Sequence, residues 1–164
     1  MIFGMTAFTF FHVVLSLVGI LSGFVVVFGL VTAKRLPGWT AVFLATTVAT
    51  SATGFLFPYH GFKPSYAVGI VSLAVLAIAI FALYGRGLAG AWRRAYIVSA
   101  LLAFYLNVFV LIAQLFMKVP ALKALAPTQS EPPFLVSQVV VMLVFLALGF
   151  MASKRFPPQG AQAV

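Results

Sequence analysis

Long apolar runs separated by short breaks rich in Gly, Pro and basic residues organise the chain. Five runs, at 8–32, 40–57, 66–84, 95–117 and 134–152, approach the ~20 residues a helix needs to cross ~30 Å of hydrocarbon. The runs at 40–57, 66–84 and 134–152 are near the short limit, so they stand close to the bilayer normal or extend into their loops. The breaks AKRLPGW, PYHGFKPS and GRGLAGAWRR carry the Gly and Pro that end helices. This pattern predicts an all-α integral membrane bundle of five transmembrane helices. It forms one domain over 1–156, followed by a short disordered tail at 157–164. The opening run lacks a basic leader and a small-residue cleavage site, and it is long for a signal peptide, so it is read as a retained first helix.

The cations give the bundle a direction. Lys34, Arg35, Arg86, Arg93, Arg94, Lys154 and Arg155 fall at one set of ends, and Lys63, Lys118 and Lys123 at the other. Seven against three places the first set in the cytoplasm, with the N-terminus outside and the C-terminus inside. Trp39 and Trp92 mark the same boundary as interfacial anchors.

Composition sharpens this picture. Hydrophobic residues are 64% of the chain, charged residues 7%, and the mean hydropathy is +1.20. A soluble domain has about a quarter of its residues charged, so the solvent for this chain is the lipid bilayer. The net charge of +9 does not point to nucleic acid, because the cations come as pairs and singles rather than as a stripe. Without cysteine there are no disulfides, no thiolate catalysis and no Cys-ligated zinc or iron–sulfur centre. Zincin, phosphate-loop, dinucleotide and Ser-His-Asp signatures are also absent from the sequence.

Polar side chains at membrane depth are the candidates for chemistry. His12, Ser16, Gly19 and Gly23 share one face of the first helix, and Gly19 and Gly23 form a GxxxG suited to close helix contact. Val26 is expected nearer the lipid. The second helix is rich in threonine, which costs little in lipid because each hydroxyl can bond its own i−4 carbonyl. Asn107 and Gln114 are two turns apart on the fourth helix, and Gln138 lies about one turn into the fifth. These amides, with His12, fall in the outer half or middle, while the inner half holds only small hydroxyls. A conduction path needs polar lining throughout, so the pattern favours an outward-facing pocket or a polar packing layer.

Glu131 is the only acidic residue. The segment 120–126 predicts a short interfacial helix that would act as a lid over Gln114. Glu131 then sits extended before a helix starting at Pro133, facing the positive end of its dipole, with Lys118 and Lys123 as possible partners. His12 and His60 are the only histidines, and a haem site would draw on them, whereas a quinone head group would use the threonine-rich wall of the second helix; no other metal site is indicated.

The stretch YLNVFVLIAQLFMKVPALKALAPTQSEPPF, with TGFLFPYHGFKPSYAVGIVSL before it, resembles small uncharacterised multi-pass inner-membrane proteins of proteobacteria. The resemblance implies the bacterial inner membrane and carries no assigned activity. The expected role is a non-enzymatic membrane subunit, in a homo-oligomer or with a membrane-complex partner, or a small-ligand binder using His12, Asn107, Gln114, Gln138, Glu131 and His60. A haem- or quinone-binding redox protein is the alternative, and a small-solute transporter the third reading.

Overall fold

Thr6 opens the first helix: its hydroxyl accepts the Thr9 amide at 3.1 Å, satisfying one of the donors a helix start leaves free. In this computed structural model, which describes residues 4–58 and 64–158, the elements are all helical. They are α1 (Ala7–Val31), α2 (Pro37–Gly54), α3 (Pro64–Ile80), α4 (Trp92–Lys118), α5 (Pro120–Leu125) and α6 (Pro132–Arg155). The last turn of α3 widens into a π-helical turn at Phe81–Gly85, closed by the Arg86 amide bonding the Phe81 carbonyl at 2.9 Å.

Each predicted run is a helix, but not every one is equally apolar. Four helices, Ala7–Val31, Pro64–Gly85, Trp92–Lys118 and Pro132–Arg155, are long and apolar enough to cross a membrane. The exception is α2, whose 18 residues include Thr40, Thr46, Thr47, Thr50, Ser51 and Thr53. Its bounds also differ from the predicted 40–57. Pro37 occupies the start, where its missing N–H costs nothing, and the helix ends at Gly54.

The bundle is organised around α4, which packs against α1, α3, α5 and α6, while α1 and α2 share the most extensive helix contact. Tyr96, Ile97, Ala100, Ala103 and Phe104 form the buried face of α4, at helical spacing. Phe104 is the centre of an aromatic cluster: Phe24 of α1 lies 5.0 Å from its ring, Phe145 of α6 5.2 Å and Phe43 of α2 6.0 Å. Val26, expected nearer the lipid, is only 5% exposed. It lies seven residues beyond Gly19 and so continues the same buried face.

Most of the buried core lies toward the end carrying Lys34, Arg35, Arg93 and Arg155. At the opposite end a smaller cluster of Phe116, Ala126 and Phe134 joins α4, the α5–α6 turn and α6. Between them, residues 105–113 of α4 are only half-buried.

The cations are built into that first end. The Arg93 guanidinium donates to the Ser153 carbonyl at 3.1 Å and the Phe156 carbonyl at 2.6 Å, capping α6. Arg155 reaches the Val31 carbonyl at the end of α1, and Arg35 donates to the Pro157 carbonyl at 3.2 Å. Helix C-termini present unpaired carbonyls with partial negative charge, and these guanidinium groups supply both donors and countercharge. Arg86 sits over Trp92 at 5.7 Å and Lys154 over Phe150 at 4.2 Å. These positions suit a membrane–water boundary.

Candidate functional site

The polar side chains of the middle and of the Glu131 end pair across helices. Gly19 is the node: a Cβ there would lie 3.3 Å from both Thr46 Oγ1 and Thr47 Oγ1 and 3.6 Å from Asn107 Nδ2. The absence of a side chain lets α2 and α4 bring their polar groups together, and Asn107 Nδ2 donates to Thr47 Oγ1 at 3.3 Å. Nearer the Glu131 end, His12 Nδ1 and Thr53 Oγ1 share a hydrogen bond of 2.8 Å, and the His12 ring meets Phe57 edge-on at 5.0 Å. Ser51 donates to Ser72 at 3.0 Å, linking α2 to α3. As predicted, hydroxyls also turn back on their own helices: Thr46 bonds the Val42 carbonyl and Thr53 that of Ala49, each at 2.7 Å.

Gln138, 8% exposed, donates from Nε2 to the Phe109 carbonyl at 3.2 Å, and its Oε1 has no protein partner among the described residues. The Thr50 hydroxyl is likewise buried and unpartnered among those residues. Gln114 is exposed. The short helix predicted at 120–126 is present as α5, but it does not cover Gln114, which corrects the lid. The Asn107 and Gln114 positions share a face by spacing, yet only the first lies where neighbouring helices reach it.

Glu131 is the extended N-cap residue of α6, which begins at Pro132, one residue before the predicted start. Its carboxylate does not bond the helix amides. It turns back to accept the Thr128 hydroxyl at 2.8 Å and the backbone amides of Thr128 and Ser130 at 3.1–3.3 Å. Desolvation by the surrounding turn works against ionisation, and these donors outweigh it, so the carboxyl is held below its ordinary value of 4.5. Its donors come from Thr128 and Ser130 rather than from Lys118 or Lys123. Gln129, which sequence reasoning passed over, pins the same turn by donating to the Ala113 carbonyl at 2.7 Å. Gln129 holds a positive φ of 60°, a feature of the turn that composition does not reveal.

His60 lies outside the described residues, so a haem site pairing it with His12 has one placed member. Among the described residues no three His, Asp or Glu side chains gather as a metal site.

A cavity lies elsewhere, at the cationic end. It has a volume of about 160 Å³ and is lined by Lys34, Arg35, Thr40, Tyr84, Leu88 and Tyr96, with further apolar side chains behind them. A second, more open cavity of about 320 Å³, between α2 and α3, is lined by Ala41, Leu44, Ala45, Val48, Ile80 and Tyr84. Neither includes the residues predicted for an outward-facing pocket. Comparison with known proteins adds no assignment: no family profile, curated protein or solved structure matches the chain.

Proposed function

We propose that this chain is a non-enzymatic subunit of a bacterial inner membrane, threaded five times with its N-terminus outside and its C-terminus in the cytoplasm. The carrying observation is that His12, Asn107 and Gln138 each bond across to another helix. Groups engaged in this way join helices. A reaction centre or solute path would leave them free to exchange partners. Glu131 serves the turn before α6 in the same manner. The exposed amide of Gln114 is the side chain of this set available to a partner in the membrane.

The gathering of Lys34, Arg35, Arg93 and Arg155 around the ends of α1, α4 and α6 supports a cytoplasmic placement of that end. The five-span threading adds α2 as a crossing beside α1, with its hydroxyls turned to its own carbonyls or toward α1, α3 and α4.

Two measurements test the reading. A reporter active only in the cytoplasm should give signal after Val164 and in the 86–91 loop, and none in the 58–65 loop. Reversal at these sites inverts the threading, and an active reporter in the 58–65 loop alongside the others overturns the span count, because α3 between the two loops would then not cross. The detergent-purified protein should be colourless and run as a complex with itself or a stoichiometric partner. A Soret band, or a quinone extracted in equal amount, would move the protein to the redox class, and bound small solute would move it to a binder or transporter.

A further inference from the structure

The cavity at the cationic end is assembled from irregular backbone. Ala33, one residue past the α1 cap, has φ 59°, and the Lys34 amide bonds back to the Gly29 carbonyl at 2.8 Å. This is the Schellman arrangement, with alanine where glycine is usual. On the other wall Leu88 has φ 61°, a left-handed conformation strongly disfavoured for leucine, and is only 1% exposed. The wall between them includes Leu83 and Tyr84 from the π-helical turn. Widened turns and left-handed side chains concentrate where a fold holds a site rather than where it only packs.

The chemistry of the lining is amphiphilic. Lys34 and Arg35 stand at the cavity with no side-chain carboxylate to neutralise them, since the one acid of the chain is at the opposite end of the bundle. Among the described residues, Arg93 and Arg155 are committed to helix carbonyls, whereas Arg35 donates one hydrogen bond, to Pro157, and lies over the Phe156 ring at 5.6 Å, and Lys34 lies over the Phe28 ring at 5.7 Å. The start of α2 borders the same cavity through Leu36, Pro37 and Thr40, with no acidic residue in its first turn and no side-chain cap. Its positive dipole end therefore adds to the two cations. Behind this rim, Val26, Leu30, Leu83 and Leu88 make the wall apolar.

We propose that this cavity binds the phosphate head group of an anionic phospholipid, with Lys34 and Arg35 as the recognising cations and the aliphatic wall receiving the glycerol and upper acyl chain. Free phosphate would use the cations alone and leave the apolar wall without a function. The site stands whichever way the protein is threaded, so its failure and that of the proposed topology are separate.

The test titrates short-chain phosphatidylglycerol, short-chain phosphatidylcholine and inorganic phosphate into the detergent-purified full chain, following thermal unfolding. Phosphatidylglycerol should stabilise the protein at concentrations where the other two do not. Lys34→Gln and Arg35→Gln should each weaken that response by about fivefold, as loss of one interfacial cation implies. Arg94→Gln, an exposed charge outside the cavity, should leave it unchanged. Because Arg35 also holds Pro157, Lys34→Gln and the cavity-filling Leu83→Trp keep the test clear of misfolding. Leu83→Trp changes no charge and should blunt the lipid response. Equal stabilisation by inorganic phosphate would replace the lipid with a free anion. Equal weakening by Arg94→Gln, or a full response in Leu83→Trp, would reduce the effect to diffuse surface charge and overturn the site.

Discussion

Gly23 and Phe104 interlock: a Cβ built on the glycine would stand 2.5 Å from Cδ2 of the phenylalanine ring. The ring occupies the space a side chain on α1 would fill, and three aromatic side chains from α1, α2 and α6 close around it. The glycine therefore sets how near α1 and α4 approach, and with it the position of the whole cluster. Gly23→Leu should destabilise the protein by about 1–3 kcal/mol, the usual cost of overpacking a filled core. Leu21→Ala, on an exposed face of the same helix, should change little. Denaturant-induced unfolding in detergent measures both, and equal losses would mean that helix content rather than this contact is limiting.

The Asn107–Thr47 bond is a direct measure of how much polar groups hold the bundle together. Asn107→Leu and Thr47→Val, alone and combined, should give a coupling of about 0.6 kcal/mol, the average for such bonds within membranes. A coupling near zero would leave Gly19 packing, rather than the amide, as the reason these helices meet.

Ala33 offers a stabilising change. It holds φ 59° at the end of α1, a conformation glycine adopts without a steric penalty. Ala33→Gly should raise stability by about 1 kcal/mol. A decrease would show that the alanine methyl makes a contact outweighing its strain.

Glu131 predicts a local pH response. Its carboxyl is held below its ordinary value by the Thr128 and Ser130 donors, so the folded state favours the ionised form. The stabilisation is complete above the ordinary value of 4.5 and is lost as the pH falls through the lower folded value. Amide hydrogen exchange in the 126–131 turn, corrected for intrinsic rates, should accelerate on acidification below that range. Glu131→Gln should show the faster exchange at neutral pH and lose most of the pH dependence.

Hydropathy made the helices readable, because burial in lipid leaves a run of apolar residues that local composition reports directly. Bounds were less accessible: Pro37 starts α2 from a position that its flanking polarity obscures, and the π-helical turn at Phe81–Gly85 depends on hydrogen bonds across five residues that no residue type signals. Val26 is apolar in either environment, so only its seven-residue spacing from Gly19 marks it as buried rather than lipid-facing. The cations predict a cytoplasmic end, but a bias in number says nothing of which ones cap carbonyls and which line a cavity. That distinction between Arg93 and Lys34 is set by chain folding after α1 and α6 end, beyond the reach of local pattern.

The threonine-rich character of α2 bears on how the protein is made. Thr46, Thr47, Ser51 and Thr53 are satisfied within the helix or by α1, α3 and α4, and its largest shared surface is with α1. A helix of this composition gains less from partitioning into hydrocarbon than the four more apolar ones. Its neighbour reverses direction through a loop of only residues 32–36. In a five-span threading, α1 and α2 would leave the translocation machinery together as a hairpin, the first supplying the partitioning energy and the second following. Stretching the loop between them would delay biogenesis.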